Sequence, residues 1–136
     1  MENKINEGTR YEYEFSFTQE DVMNFANASG DNNPIHLDDD YAATTIFGKR
    51  IIHGFLGASI FSKVFGTLFP GNGTIYLKQD LVFMKPMFIH TKYMAKFLVL
   101  SIDKNKNRAT VQTEITEESG LSVINGQALI KHHEIK

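Results

Sequence analysis

Residues Thr9 to Thr18 alternate in character, with Tyr11, Tyr13, Phe15 and Phe17 on one face and Glu12, Glu14 and Ser16 on the other. That two-residue period predicts a half-buried strand, the first and an edge one. At Thr18 the period changes. Thr18-Gln19-Glu20-Asp21 resembles a capping box, and Val22, Phe25, Ala26 and Ser29 follow at helical spacing, which predicts an amphipathic helix over 18–29. Gly30 suits a left-handed cap, and Asn33, standing before Pro34, is pushed out of the helical region, so a polar loop is expected there. Asp38, Asp39 and Asp40 then read as the start of a short helix through Ala43.

The stretch from Ile51 to Pro70 is different in kind. From Gly54 to Phe69 only Lys63 is charged, and Phe55, Leu56, Ala58, Ile60, Phe61, Val64, Phe65, Leu68 and Phe69 point in nearly every direction around a helix. A helix apolar on every side is expected to be buried on every side, and in a chain this short the available cover is a curved sheet. Gly73 to Met84, Lys92 to Asp103, Arg108 to Glu117 and Leu121 to Ile130 supply strand-like segments, separated by the turn-like Lys85-Pro86, 104–107 and Glu118-Ser119-Gly120. With no internal repeat, linker or low-complexity tract, residues 1–136 are expected to form one α+β domain, mostly antiparallel.

Composition narrows the function classes. At 136 residues and 42% hydrophobic, the chain is long and apolar enough to bury a core, which excludes a disordered tail or a collagenous rod. Lys and Arg number 14 against 16 Asp and Glu, with no basic run to neutralise a row of phosphates, so no nucleic-acid partner is expected. The absence of cysteine removes disulfides, thiolate metal sites and thiol nucleophiles. The N-terminus is polar and no apolar run approaches the ~20 residues of a membrane span, so a soluble cytoplasmic protein with no membrane partner is expected.

Several sharper readings fail. Tyr76 stands where a dinucleotide fingerprint beginning at Gly71 needs a glycine, and no phosphate-loop motif is present. A calcium loop around Asp31, Asn33 and Asp38–Asp40 would need a glycine at His36 and is stiffened by Pro34. His132 and His133 are adjacent on a presumed strand and face opposite ways, as solvated tail residues would, and no metal is expected. Ser59 and Ser62 lie outside any nucleophile elbow. There remains the loop Gly30-Asp31-Asn32-Asn33-Pro34-Ile35-His36, with His53-Gly54 at the start of the apolar helix. Asp31 and His36, five residues apart across a Pro-stiffened turn, can reach one small molecule such as water, as general acid–base chemistry requires. The alternative is that Asp31 caps an amide and His36 is a satisfied loop residue. At Gly54 the free N–H groups of a helix start could hold an oxyanion, or the glycine could serve close packing, as Gly57 does.

Together, Phe25-Ala26, the Gly30-to-His36 segment, Ala42, Phe47, Ile51 to Gly54 and Phe83-Met84-Lys85-Pro86 resemble the MaoC-like (R)-specific enoyl-CoA hydratases. Every fixed position of that family's Gly-Asp-x-Asn-Pro-Ile-His motif is present. The resemblance implies the hot dog fold, a curved antiparallel sheet wrapped around one long buried central helix. It implies that Asp31 and His36 bind and activate the water added across the C2=C3 bond of a trans-2-enoyl thioester, giving an (R)-3-hydroxyacyl thioester. It further implies that the N–H at Gly54 receives the thioester carbonyl, that Asn33 orients the loop and that His53 contacts substrate. Ser62 is expected to line an acyl tunnel, with helix packing as the alternative, and Phe61, Phe65 and Phe69 to form a stack that shortens it, with core packing as the alternative. Lys49, Arg50, Lys85 and Lys92 are candidates for coenzyme A phosphates by charge alone. A homodimer is implied, and no cofactor, since coenzyme A belongs to the substrate. Competing functions are an acyl-carrier-protein-linked 3-hydroxyacyl dehydratase, a hot dog thioesterase and a non-catalytic acyl-thioester-binding module. The thioesterase is disfavoured by the lack of any Asp or Glu between Gly54 and Phe69.

Overall fold

The computed structural model describes residues 5–136; the first four residues of the polar N-terminus lie outside the described residues. The elements run β1 (Arg10–Phe15), α1 (Gln19–Ser29), α2 (Pro34–Leu37), α3 (Asp39–Ala43), α4 (Gly54–Thr67), β2 (Ile75–Gln79), β3 (Val82–Phe83), β4 (Tyr93–Asp103), β5 (Arg108–Glu117) and β6 (Ser122–Lys131). The sheet order is β1-β4-β5-β6-β2, with β3 also on β6, and every pairing is antiparallel. β1 is therefore an edge strand, as its alternation predicts. Among the described residues no helix is long and apolar enough to cross a membrane.

Local chemistry explains the boundaries around the loop. Thr18 accepts from the Asp21 N–H while the Asp21 carboxylate accepts from the Thr18 N–H, which satisfies two of the donors a helix start leaves open. Gly30, at φ 81°, closes α1 by donating to the Ala26 carbonyl. The expected polar loop contains one turn of helix, α2, because Asn33 caps it and Pro34 is preset for the first helical position.

α4 presents Leu56, Gly57, Ile60, Phe61, Val64 and Phe65 to the core. Phe61 and Phe65 meet the same ring, Phe97 of β4, edge to face. The opposite side of α4 corrects the expectation of burial all round: Phe55 is 66% exposed, and Ser59, Ser62 and Lys63 are exposed with it. One sheet covers one side of a helix; the other side needs a second surface. Two further expectations are corrected. The segment 73–84 is not one strand, since the chain breaks at Asp80, whose N–H donates to the Gln127 carbonyl and whose carboxylate accepts from the Gln127 N–H. His132 is not a solvated tail residue: β6 has ended at Lys131, and the His132 ring is buried, donating from Nε2 to the Asn72 carbonyl and accepting at Nδ1 from the Glu134 N–H. His133 is exposed, as expected.

Candidate active site

Three elements converge on the Gly30-to-His36 segment. The Asp31 carboxylate is exposed and accepts from the Asn33 N–H at 3.3 Å; the Asn33 side chain in turn accepts from the Ile35 N–H at 3.1 Å. These two short bonds hold the turn open and present His36 on α2. The Gln19 amide, at the start of α1, donates to the His36 carbonyl and anchors the other side.

The His36 ring is buried, with Nδ1 2.8 Å from the Ile51 carbonyl. A carbonyl only accepts, so Nδ1 carries the hydrogen and Nε2 holds a lone pair, the form of imidazole that takes up a proton. Burial lowers the ring's pKa below the ordinary 6.5, opposed by the Ile51 carbonyl; the neighbouring His53 lowers it further and Asp31 raises it. His53, immediately before α4, is also buried, and its Nε2 lies 2.9 Å from the Asp31 carbonyl. The two imidazoles stack, with centroids 3.8 Å apart and 29° between planes. The structure thus brings Asp31, Asn33, His36 and His53 together, and His53 joins them directly to Gly54.

A carboxylate oxygen of Asp31 and ring nitrogens of His36 and His53 lie within 4.8 Å of one another. One water making two hydrogen bonds of ~2.8 Å spans such a gap. A metal ion fits less well. Lone pairs lie in the imidazole plane, the two planes are stacked rather than crossing at one point, and one nitrogen of each ring already lies against a backbone carbonyl.

Gly54 opens α4, and His53 gives the helix no side-chain cap, so the first-turn N–H groups have no internal partner. Phe83 stands beside it: a Cβ at Gly54 would sit 2.8 Å from that ring. A side chain at Gly54 would therefore have to displace the half-exposed Phe83 ring as well as crowd any approaching oxygen. Gly57 has the packing role expected of it, since a Cβ there would meet the Met87 sulfur at 2.6 Å. Two clefts open along α4. One, of about 430 Å³, is lined by Phe47, Ile51, Gly54, Phe55, Phe83 and Met84. The other, of about 640 Å³, runs past Phe25, Leu56, Ser59, Ile60 and Lys63. Asp31 and His36 line neither; His36 is buried and the Asp31 side chain is exposed.

The remaining candidates lie apart. Ser62 is exposed on the uncovered side of α4, and Phe65 is buried at 1% exposure between Phe97 and Tyr76. Phe69 stacks on Tyr11 rather than continuing a column with Phe65. Each candidate cation already has a partner: Arg50 pairs with Asp39, Lys85 with Glu117 and Lys92 with Glu14, and Lys49 lies over the Phe88 ring. The sequence reading did not identify the Ile51 carbonyl, which sets the His36 tautomer, and it named Phe83 only within the Phe83-Met84-Lys85-Pro86 run, not as a neighbour of Gly54. A backbone carbonyl leaves no signal in residue types, and the Phe83–Gly54 contact joins segments far apart in the chain.

Residues 1–120 match the family model described as "MaoC like domain". The chain belongs to the MaoC-like family. It is similar to an (R)-specific enoyl-CoA hydratase of Aeromonas caviae, 41% identical over 115 residues that cover 85% of this chain and 86% of that protein. An (R)-specific enoyl-CoA hydratase of Rhodospirillum rubrum is 38% identical over 126 residues, 93% of this chain and 87% of the relative. Among solved structures, the (R)-hydratase from A. caviae involved in PHA biosynthesis superposes with a TM-score of 0.89 at 38% identity, covering 93% of this chain and 96% of that one. The fold of this MaoC-like chain is the hot dog fold, as the resemblance implies.

Proposed function

We propose that this MaoC-like protein is a lyase that reversibly hydrates trans-2-enoyl-CoA to (R)-3-hydroxyacyl-CoA. The observation that carries the reading is the Asp31–His36 pair with the His36 lone pair on Nε2, set beside the uncapped start of α4; relatives with this activity in their names support it. The thioester carbonyl accepts from the N–H groups at Gly54, which draws electron density from C3. His36 takes a proton from the bound water while the Asp31 carboxylate accepts a hydrogen bond from the O–H that the water keeps. The water oxygen bonds to C3, the C2=C3 pair moves to C2 as the enolate forms, and the Asp31–His36 pair returns one proton to C2. Water is consumed whole and the enzyme ends as it began.

The reading includes a homodimer. The outer side of α4 and the β2–β3 segment expose Phe55, Ile75, Tyr76, Leu77, Val82 and Phe83, with Phe55 against the Phe83 ring and sharing a cleft with Tyr76 and Leu77. A partner copy on it would enclose the catalytic pair and cover Ser62, which then lines the acyl path. The reading also includes a cytoplasmic location and needs no cofactor or metal. Incubation with crotonyl-CoA tests it: absorbance of the conjugated thioester should fall without release of free thiol, and EDTA should leave the rate unchanged. Thiol release would instead identify a thioesterase.

A further inference from the structure

His53 is placed as an N-cap residue, yet its side chain caps nothing. Its ring turns instead into the α1–α2 loop, 2% exposed, where Nε2 donates to the Asp31 carbonyl at 2.9 Å. One face lies on His36, and Phe25 tilts against the ring at 4.8 Å. Nδ1 is buried and meets no partner. A buried nitrogen left unpaired is unfavourable and rare in folded proteins, and a serine or aspartate would have capped α4 better. An imidazole persists where its other contacts require it.

Resting on the hydratase reading above, we propose that His53 is a positioning residue for the hydration step: its Nε2–H clamps the Asp31 backbone and its ring face sets the plane of His36, so that the Asp31 carboxylate and the His36 lone pair meet one water. The clamp is rigid because both contacts come from one planar ring held at the base of α4. Displacing a reacting group by about 1 Å lowers turnover by up to ~100-fold, and neither the exposed Asp31 nor the single-turn α2 has a core of its own to resist such a shift. The stack also bears on charge. Two imidazolium rings with centroids 3.8 Å apart would repel, so the pair does not readily hold two positive charges at once. The titratable groups facing His36 are Asp31, from the loop, which favours its charged form, and His53, from the start of α4, which opposes it.

Two variants separate the contacts. In His53→Gln an amide N–H stands where Nε2–H stood and can still donate to Asp31, but no ring stacks on His36; in His53→Leu both contacts are lost. With crotonyl-CoA, His53→Leu should lower kcat about tenfold or more with KM little changed, and His53→Gln should recover part of that loss. In both, the acid limb of kcat/KM and the titration of His36, followed by nitrogen NMR of the ring without substrate, should move to higher pH. A His53→Leu kcat within threefold of wild type would overturn the proposal. So would an unmoved His36 titration in both variants, including the case where kcat falls only in step with melting temperature. Should the wild-type protein fail to hydrate crotonyl-CoA, the hydratase reading falls, while the NMR titration still decides whether His53 governs His36.

Discussion

His36 has one nitrogen committed and one free, and that division governs its chemistry. Nδ1–H is held by the Ile51 carbonyl, so a proton from water can go only to Nε2. Burial favours the neutral ring and lowers its pKa below 6.5. The neutral form is the base, so the acid limb of hydration has its midpoint below pH 6.5: kcat/KM for crotonyl-CoA should fall toward acid pH with half its plateau value reached below 6.5, as a pH–rate profile would show. Loss of activity already complete at pH 6.5 would contradict the assigned environment. Asp31→Asn and His36→Ala should each reduce turnover by ~100-fold or more, the contribution usual for general acid–base groups. The Asp31 carboxylate is exposed and accepts from the Asn33 N–H of its own loop, while the bond from His53 goes to the Asp31 backbone carbonyl, which the substitution leaves in place, so the melting temperature of Asp31→Asn should match that of the parent. Retention of a tenth of parental turnover by either variant would remove its role.

At the scale of elements, the break between β2 and β3 sets one wall of the site. β6 carries Gly126 opposite Asp80, and a Cβ there would stand 2.0 Å from the Asp80 carbonyl oxygen, a backbone atom that cannot swing aside. The glycine lets Asp80 approach β6 and the chain turn into β3, which puts Phe83 beside Gly54. A glycine inside a strand often marks such an approach. Gly126→Ala should therefore destabilise the fold by ~2 kcal/mol or more, measured by urea denaturation, and should also reduce hydration turnover because Phe83 shifts. An unchanged denaturation midpoint would show that β3 relaxes freely. The same close fit makes Phe65 a structural residue in this chain: its ring shares Phe97 with Phe61 on the sheet side of α4.

For the whole molecule the surface left without cover is the outer side of α4. An edge strand with exposed Ile75 and Leu77 is open to pairing with another copy. Since both side chains are exposed in one chain, the double substitution Ile75→Glu, Leu77→Glu should change the stability of that chain by only ~1 kcal/mol or less, while placing like charges across a two-fold interface. Sedimentation should then report a monomer, and hydration turnover should fall because the catalytic pair is no longer enclosed. A fully active monomer would disprove the need for a partner.

Much of this was legible in the sequence, for reasons that are local. The capping box at Thr18, the left-handed Gly30, the Asp38 cap and the alternation of β1 depend on residues within a few positions of one another, and all appear as their spacing predicts. The Gly-Asp-x-Asn-Pro-Ile-His run likewise marked the loop of the candidate site, because short-range bonds from Asp31 and Asn33 shape it. What only the tertiary structure decided depends on contacts between distant segments: Ile51 selecting the His36 tautomer, His53 reaching 22 residues back to Asp31, Asp80 against Gly126, and His132 folded onto Asn72. The apolar character of α4 was plain from composition. Which of its faces the chain's own sheet covers was not, because hydrophobicity measures a residue's aversion to water without naming the surface that will exclude it.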